Sequence, residues 1–298
     1  MDPVFTYPVS ASENQTTVES FLRKRGYSHH ILTGLKQTED GICLNGVRTY
    51  TTWRLQTGDL LTVHLRETDT SDQILPRPVP FTIVYEDEHI LVVNKPSDTP
   101  VHPSIGNYEN TLANGVSWYF SQQGKPFVFR CINRLDRDTT GLVLLAKHAL
   151  SGAILSGAMT RREIHRTYQA ITYGDLPAKG TIDAPIARLD GSVIMRTVDY
   201  ERGERSVTHY TTLARQNGFS FLELHLETGR THQIRVHMSH IGHPLVGDTM
   251  YGPADQTLIA RQALHSAALS FSHPITGEPM KFHCELPDDM KHLLEIRG

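Results

Sequence analysis

Within residues 219–227, Leu222, Leu224 and Leu226 fall on one side and Glu223, His225 and Glu227 on the other. Period-two alternation sends successive side chains to opposite faces of an extended chain, so this stretch requires a sheet with one face buried and the other wet. Apolar or β-branched runs at 81–85, 90–94, 141–146, 168–173 and 207–213, separated by turn residues, supply further strands. Helical spacing appears at 149–162 and 288–296, and within 231–240 it sets Ile234, Met238 and Ile241 on one stripe. Thr231 is the expected N-cap of that helix, and Gly242 with Pro244 its stop. The pattern is that of an α+β domain on an antiparallel or mixed sheet.

Ahead of it lies a different unit. Val18, Phe21 and Leu22 before Gly26, then Ile31, Leu32 and Leu35, predict two short helices. Asn45-Gly46, flanked by Ile42, Leu44 and Val47, predicts a hairpin, because a type I′ turn needs positive φ at both central residues. A last strand at 60–65 closes a compact unit over 15–66. Residues 67–80 are polar first, with Thr68, Asp69, Thr70 and Asp72, then punctuated by Pro76, Pro78 and Pro80, and read as a linker to a domain over 81–298. In the first unit Arg23, Lys24, Arg25 and Lys36 gather around the helices with only Glu19 opposing them, a candidate phosphate-binding patch.

Such a patch has to be local, since 29 Lys plus Arg against 32 Asp plus Glu leave a formal net charge of −3. A protein coated in positive charge for indiscriminate nucleic-acid binding is excluded. The three cysteines, Cys43, Cys131 and Cys284, are odd in number and scattered, which indicates neither a disulfide framework nor a structural zinc site and fits a reducing cytoplasm. No run approaches the ~18 apolar residues of a membrane span, and the opening residues carry no secretory signal pattern.

Two segments concentrate polar side chains between apolar flanks. In 130–141, Arg130, Arg134, Asp136, Arg137 and Asp138 crowd against a strand, where charged groups need partners or a ligand. In 226–252 a strand end, a turn and a helix carry Arg230, His232, Gln233 and Arg235; helical spacing alone puts Arg235 opposite the apolar stripe or on its border, where an exposed arginine is ordinary. His232, His237, His240 and His243 raise a metal hydrolase as a rival, but His243 follows Gly242 and no His-Glu-x-x-His signature is present.

Arg134-Leu-Asp-Arg-Asp-Thr-Thr-Gly141 together with Glu227-Thr-Gly-Arg-Thr-His-Gln-Ile-Arg-Val-His237 resembles the RluA/RluD family of pseudouridine synthases. Asn94-Lys-Pro with Val101-His-Pro103, Arg166-Thr-Tyr168, Gly242-His-Pro-Leu-Val-Gly-Asp248, Leu264-His-Ser-Ala267 and His273-Pro274 agree in family order, over about 80–285. The 15–66 unit resembles an S4-type RNA-binding module, which also occurs in front of such domains. The resemblance implies a mixed, mainly antiparallel sheet and isomerisation of uridine to pseudouridine in structured RNA without cofactor or metal. Large-subunit (23S) ribosomal RNA is the first expectation for the substrate and transfer RNA the second. It further implies no membrane and no obligate protein partner. A non-catalytic RNA-binding protein of the same fold is the remaining alternative.

By the same resemblance Asp136 is the catalytic carboxylate, attacking either the sugar C1′ or the base, and Arg235 the guanidinium paired with it. Tyr168 is expected to stack on the uracil, in preference to taking the C5 proton. Arg134, Arg137, Thr140, Arg230, His232 and Gln233 are the expected substrate contacts. Three positions depart from the family pattern: Asn133 where a histidine is usual, Thr140 for serine, and Asp98 where glycine is more common. Asn133 and Asp98 put substrate contacts in question more than chemistry.

Overall fold

A computed structural model describes residues 2–67, 71, 74–125 and 127–295. Of the expected linker, Thr68, Asp69, Thr70 and Asp72 lie outside the described residues, as do Ile296 and the two residues after it. The amino-terminal unit holds β1 (Val4–Pro8), α1 (Val18–Lys24), α2 (His29–Gln37), β2 (Ile42–Leu44), β3 (Val47–Arg48) and β4 (Leu60–His64). Asn45 and Gly46 both have positive φ, 51° and 81°, as the hairpin requires. Its sheet runs β1-β4-β2-β3; β1, which no turn signal marks in the sequence, pairs antiparallel with β4 and extends this unit to residue 4.

The second unit follows as β5 (Thr82–Glu86), β6 (Ile90–Lys95), α3 (Leu112–Ser121), β7 (Arg130–Cys131), β8 (Thr140–Ala146), α4 (Ala149–Thr160), β9 (His165–Tyr173) and β10 (Lys179–Asp183). It continues through β11 (Ile186–Arg188), β12 (Arg196–Val198), β13 (Val207–Gln216), β14 (Phe219–Leu226), α5 (Gln233–His240), β15 (Leu264–Ser272), β16 (Pro279–His283) and α6 (Asp288–Glu295). A ten-stranded sheet runs β10-β13-β14-β9-β15-β8-β6-β5, with β16 on β15 and β7 on β8. All its pairings are antiparallel except β15 on β8, so the sheet is mixed and mainly antiparallel. Among the described residues no helix is long and apolar enough to cross a membrane.

The strands β6 and β8 are apolar on both faces, and both faces are covered. Leu91, Val93, Val143 and Leu145 pack with Leu112, Val116 and Phe120 of α3, while Ile90, Val92, Leu142 and Leu144 pack with Leu155 of α4. At the one parallel seam, β8 and β15 approach so closely that a Cβ on Gly141 (φ 110°) would collide with the carbonyl of Ser266. Only glycine meets both conditions there. Helix α4 explains its own composition, Ala-Leu-Ser-Gly-Ala-Ile-Leu-Ser-Gly-Ala-Met-Thr, with no charge on any side. Leu155 faces the sheet, whereas Leu150, Ala149, Ala153 and Ile154 pack into the core of the amino-terminal unit against residues such as Phe21, Leu22 and Tyr27. Gly26 allows that contact, since a Cβ on it would overlap Ile154.

His148 caps α4: its Nδ1 accepts the Ser151 amide at 3.2 Å, so the proton of the neutral ring is on Nε2, 3.0 Å from His89 Nδ1. Burial pushes the His148 pKa down to about 3 and that of His265, between β8 and β15, to about 4. Both rings fold neutral and must charge on unfolding in acid. Their contribution is complete above the unfolded value of about 6.5 and is lost as pH falls from there toward the folded values, at roughly 2 kcal/mol for each ring by pH 5. Urea denaturation at pH 7 and pH 5 should therefore show a decline that is smaller by about that amount in His148→Gln.

Candidate active site

The turn between β7 and β8 and the turn between β14 and α5 meet at the parallel seam. Asp136 lies in the first, held by its carbonyl accepting the Thr139 amide at 3.1 Å. Arg235 comes from α5, and its Nη1 donates to Asp136 Oδ2 at 3.2 Å across 99 positions of sequence. Helical spacing put Arg235 at a border or in solvent, but its side chain is only 7% exposed. The reason is Asp248, fully buried, which accepts two parallel bonds from the same guanidinium, Nε at 2.7 Å and Nη2 at 2.8 Å. Burial opposes the charge on Arg235, yet the two carboxylates outweigh it and hold its pKa above the ordinary arginine value. Asp248 is itself fixed by the amides of Met250 and Tyr251, which donate to its Oδ1. Asp136, 24% exposed, is the end of the chain of charges that reaches solvent.

Asp136 stands where two spaces join. A cleft of about 1080 Å³ is lined by His102, Arg134, Arg162, Arg166, Glu227 and Arg230, among others. A small hollow of about 60 Å³ beside it is lined by Tyr168, Leu226, Ile234, Arg235 and Leu264. Tyr168, central in β9, is buried, and burial raises its phenol pKa; the nearby Arg166 works against the shift and Asp136 with it. Arg134 is exposed on the rim of both spaces and has no carboxylate partner among the described residues. Arg230 lines both as well, with its guanidinium on Glu204 and on the carbonyl of Arg205.

Several expected contacts turn out to be structural. Gln233 is buried with its amide fully engaged: Oε1 accepts Thr228 Oγ1 and the Arg230 amide, and Nε2 donates to Val207 O and Thr208 Oγ1. That side chain closes the turn, and Thr231 is not the cap; the N-cap is His232, in the left-handed region at φ 58°. His232 stays at the site, with Nε2 3.9 Å from Asp136 and Nδ1 2.8 Å from the Tyr251 hydroxyl, and burial lowers its pKa against the pull of Asp136. Thr140 bonds His265 at 2.8 Å inside the β8–β15 packing, away from the cleft. Arg137 points to Asp138 and Asp98 on the opposite side of the loop. Asn133 bonds Leu142 O and the Leu144 amide, stapling the turn to β8, so its departure from the usual histidine is met by backbone and not by substrate. Asp98 has φ 52°, which accounts for glycine being common there.

Two residues without an expected role fix the loop. Lys95 is wholly buried and donates to the carbonyls of Pro96, Thr99 and Arg137, each at 2.8 Å, tying the 96–99 turn to the Asp136 loop. Burial pushes its pKa down to about 7 against the attraction of Asp138 and Asp136. Arg261 donates to both oxygens of Asp289 and to the carbonyl of Asp138, the residue after the one Lys95 holds. Of the histidines, His237 binds Thr208 Oγ1 and Ala184 O, and His243 binds Tyr173 O; among the described residues no three His, Cys, Asp or Glu converge on a point that could hold a metal.

Comparison with known proteins points the same way. Residues 89–240 match the RNA pseudouridylate synthase family model. An uncharacterised RNA pseudouridine synthase of Bacillus subtilis (strain 168), YjbO, is 42% identical over 280 residues, covering 94% of this chain and 98% of that protein. Ribosomal large subunit pseudouridine synthase D of Escherichia coli (strain K12) is also 42% identical, over 74% of this chain and 72% of its own length. Among solved structures, human RNA pseudouridylate synthase domain containing 1 superposes with a TM-score of 0.59 at 26% identity, covering 70% of this chain and 84% of that one.

The charge arrangement predicts an asymmetry between the two aspartates. Asp248→Ala leaves a buried guanidinium with its main partner gone and should lower unfolding free energy by about 3–5 kcal/mol, whereas Asp136→Ala, at the wet end, should cost under about 1 kcal/mol. Urea titration of the two variants checks this, and equal losses would contradict the assignment of Asp248 as the anchor.

Proposed function

The chain belongs to the RNA pseudouridylate synthase family and is a pseudouridine synthase, and from that premise we propose that Asp136 is its nucleophile and large-subunit ribosomal RNA its substrate. The observation that carries the first half is the 3.2 Å contact between Asp136 and a guanidinium anchored from behind by Asp248, at the junction of the wide cleft and the Tyr168 hollow. A carboxylate attacks only while ionised, and the guanidinium holds Asp136 by one oxygen at the edge of the cleft. The second half rests on relatives such as the ribosomal large subunit enzyme, 42% identical.

The reaction rearranges one nucleotide and needs no added atoms. The target uridine leaves its stack and enters the hollow, at a cost of a few kcal/mol that contacts in the cleft must offset. Asp136 attacks the sugar C1′ or the base, the N1–C1′ bond breaks, the ring turns, C5 bonds to C1′, and the bond to Asp136 breaks and returns the free carboxylate. The C5 hydrogen passes to solvent and N1 takes up a proton. No cofactor has a part in this sequence. Tyr168 stacks on the uracil; with its phenol pKa raised by burial it is poorly suited to act as the phenolate that would take the C5 proton. Arg134, without a carboxylate partner among the described residues, grips the displaced strand. The amino-terminal unit adds phosphate contacts, with a distinction among its four cations. Arg23 and Lys36 share Glu19, at 2.9 and 3.6 Å, and Arg25 bonds Glu13 and lies over Phe21, which leaves Lys24 as the unpaired one among the described residues. A cytoplasmic setting suits the free thiols of Cys43, Cys131 and Cys284.

Release of tritium from RNA labelled at uracil C5 measures the reaction directly. Wild-type protein should release it from an unmodified large-subunit ribosomal RNA transcript, and Asp136→Asn should be slower by about 10³-fold or more while still binding the transcript. Wild-type rates in the variant would sink the nucleophile assignment, and release from transfer RNA alone would sink the substrate.

A further inference from the structure

Helix α4 ends in a turn closed by two bonds, from the Arg162 amide to Met159 O at 3.1 Å and from the Glu163 amide to Ala158 O at 2.9 Å. This is the double bond of a Schellman cap, whose left-handed position is normally glycine because a side chain there is strained. Here it is Arg162, at φ 61°. The other non-glycine residues with positive φ among those described are Asn, Asp, Gln and His; Arg162 alone carries a long cation. An observed outlier of this kind asks what its side chain does.

Arg162 projects into the catalytic cleft with its side chain 58% exposed. The preceding Arg161 lines a separate groove of about 650 Å³ on the other side of the helix end, facing Arg23, Lys24 and Arg25 of the amino-terminal unit. The last turn of α4 is thus the ridge between groove and cleft, with one guanidinium on each slope. Neither fold stability nor the helix dipole accounts for Arg162. Its ion pair with Glu227, at 3.5 Å, is exposed and weak, and Arg161, the C-cap residue, already places a cation at the helix end. Glu227 is in any case shared with Arg205 at 3.2 Å and His209 at 2.9 Å; Arg205 also reaches Asp183 at 4.0 Å, whereas the divided carboxylate of Glu227 is the one partner of Arg162 among the described residues. On the groove side Arg161 has Glu163 at 2.9 Å as a counter-charge, and Lys24 has none among the described residues.

We propose that Arg162, Arg161 and Lys24 form a phosphate track over the end of α4, carrying one strand of the substrate RNA from the groove beside the amino-terminal unit into the cleft that holds Asp136. Arg162 binds a backbone phosphate at the cleft rim, and the strained turn is what aims it there. The proposal rests on the reading that the chain acts on RNA, and tritium release by wild-type protein reports on that reading separately.

The test is binding of the full chain to an unmodified large-subunit ribosomal RNA transcript across a series of potassium chloride concentrations. Arg162→Gly removes the charge and relieves the strained backbone, so its Tm should equal or exceed that of the wild type. Its plot of log affinity against log salt should be shallower by about 0.7–0.9, the signature of one lost phosphate contact. Lys24→Ala combined with Arg161→Ala should flatten the slope by about twice as much, and Arg162→Lys should restore the wild-type slope. An unchanged slope in Arg162→Gly, no recovery in Arg162→Lys, or a fall in the Tm of Arg162→Gly would each overturn the track, the last by showing a structural role. Wild-type protein that binds the transcript without releasing tritium would overturn the catalytic reading while leaving the slope comparison decisive for the track.

Discussion

One guanidinium with two carboxylates organises the catalytic side of this molecule. Arg235 is bound bidentately by an aspartate that water does not reach, and what remains of its hydrogen-bonding capacity meets Asp136 at the edge of the cleft. A buried arginine without Asp248 would be intolerable, and Asp136 without the arginine would be an ordinary surface acid. The rest of the site is arranged so that these three side chains, drawn from two loops and a helix, arrive together.

The backbone meets that demand with few devices. A glycine at 141 lets β8 and β15 run parallel at close range, which brings the Asp136 turn alongside β9 and its tyrosine. Lys95 and Arg261 then hold the turn just after Asp136 through the carbonyls of Arg137 and Asp138, leaving the carboxylate to Arg235 and the cleft. Gln233 performs the corresponding task for the turn before α5, where its amide serves in place of a capping hydroxyl. In each case a polar side chain that could have met substrate is engaged by the main chain.

That pattern explains what could be read in advance. Strand positions followed from alternation and apolar runs because sheet burial imposes them residue by residue, and Asn45-Gly46 announced its turn through a local conformational need. The pairing of Asp136 with Arg235 came from resemblance, since nothing local connects positions 99 apart. Asp248 carries no local signal either: an aspartate after glycine reads as turn chemistry until the arginine opposite it is known. Gln233 and Thr140 were expected at the substrate because short motifs do not say whether a polar side chain faces the cleft or the neighbouring backbone. Strand β1 was missed for a related reason, as its partner β4 lies more than fifty residues away.

Helix α4 belongs to two hydrophobic cores at once, with Leu155 in one and Leu150 in the other. The amino-terminal unit is therefore not a tethered accessory, since lifting it off would wet Leu150, Ala153 and Ile154 together. Its distance from Asp136 is built into the helix between them. An RNA that touches both has to present its two regions at one set spacing, much as a caliper locked at a single width admits only the part that fits.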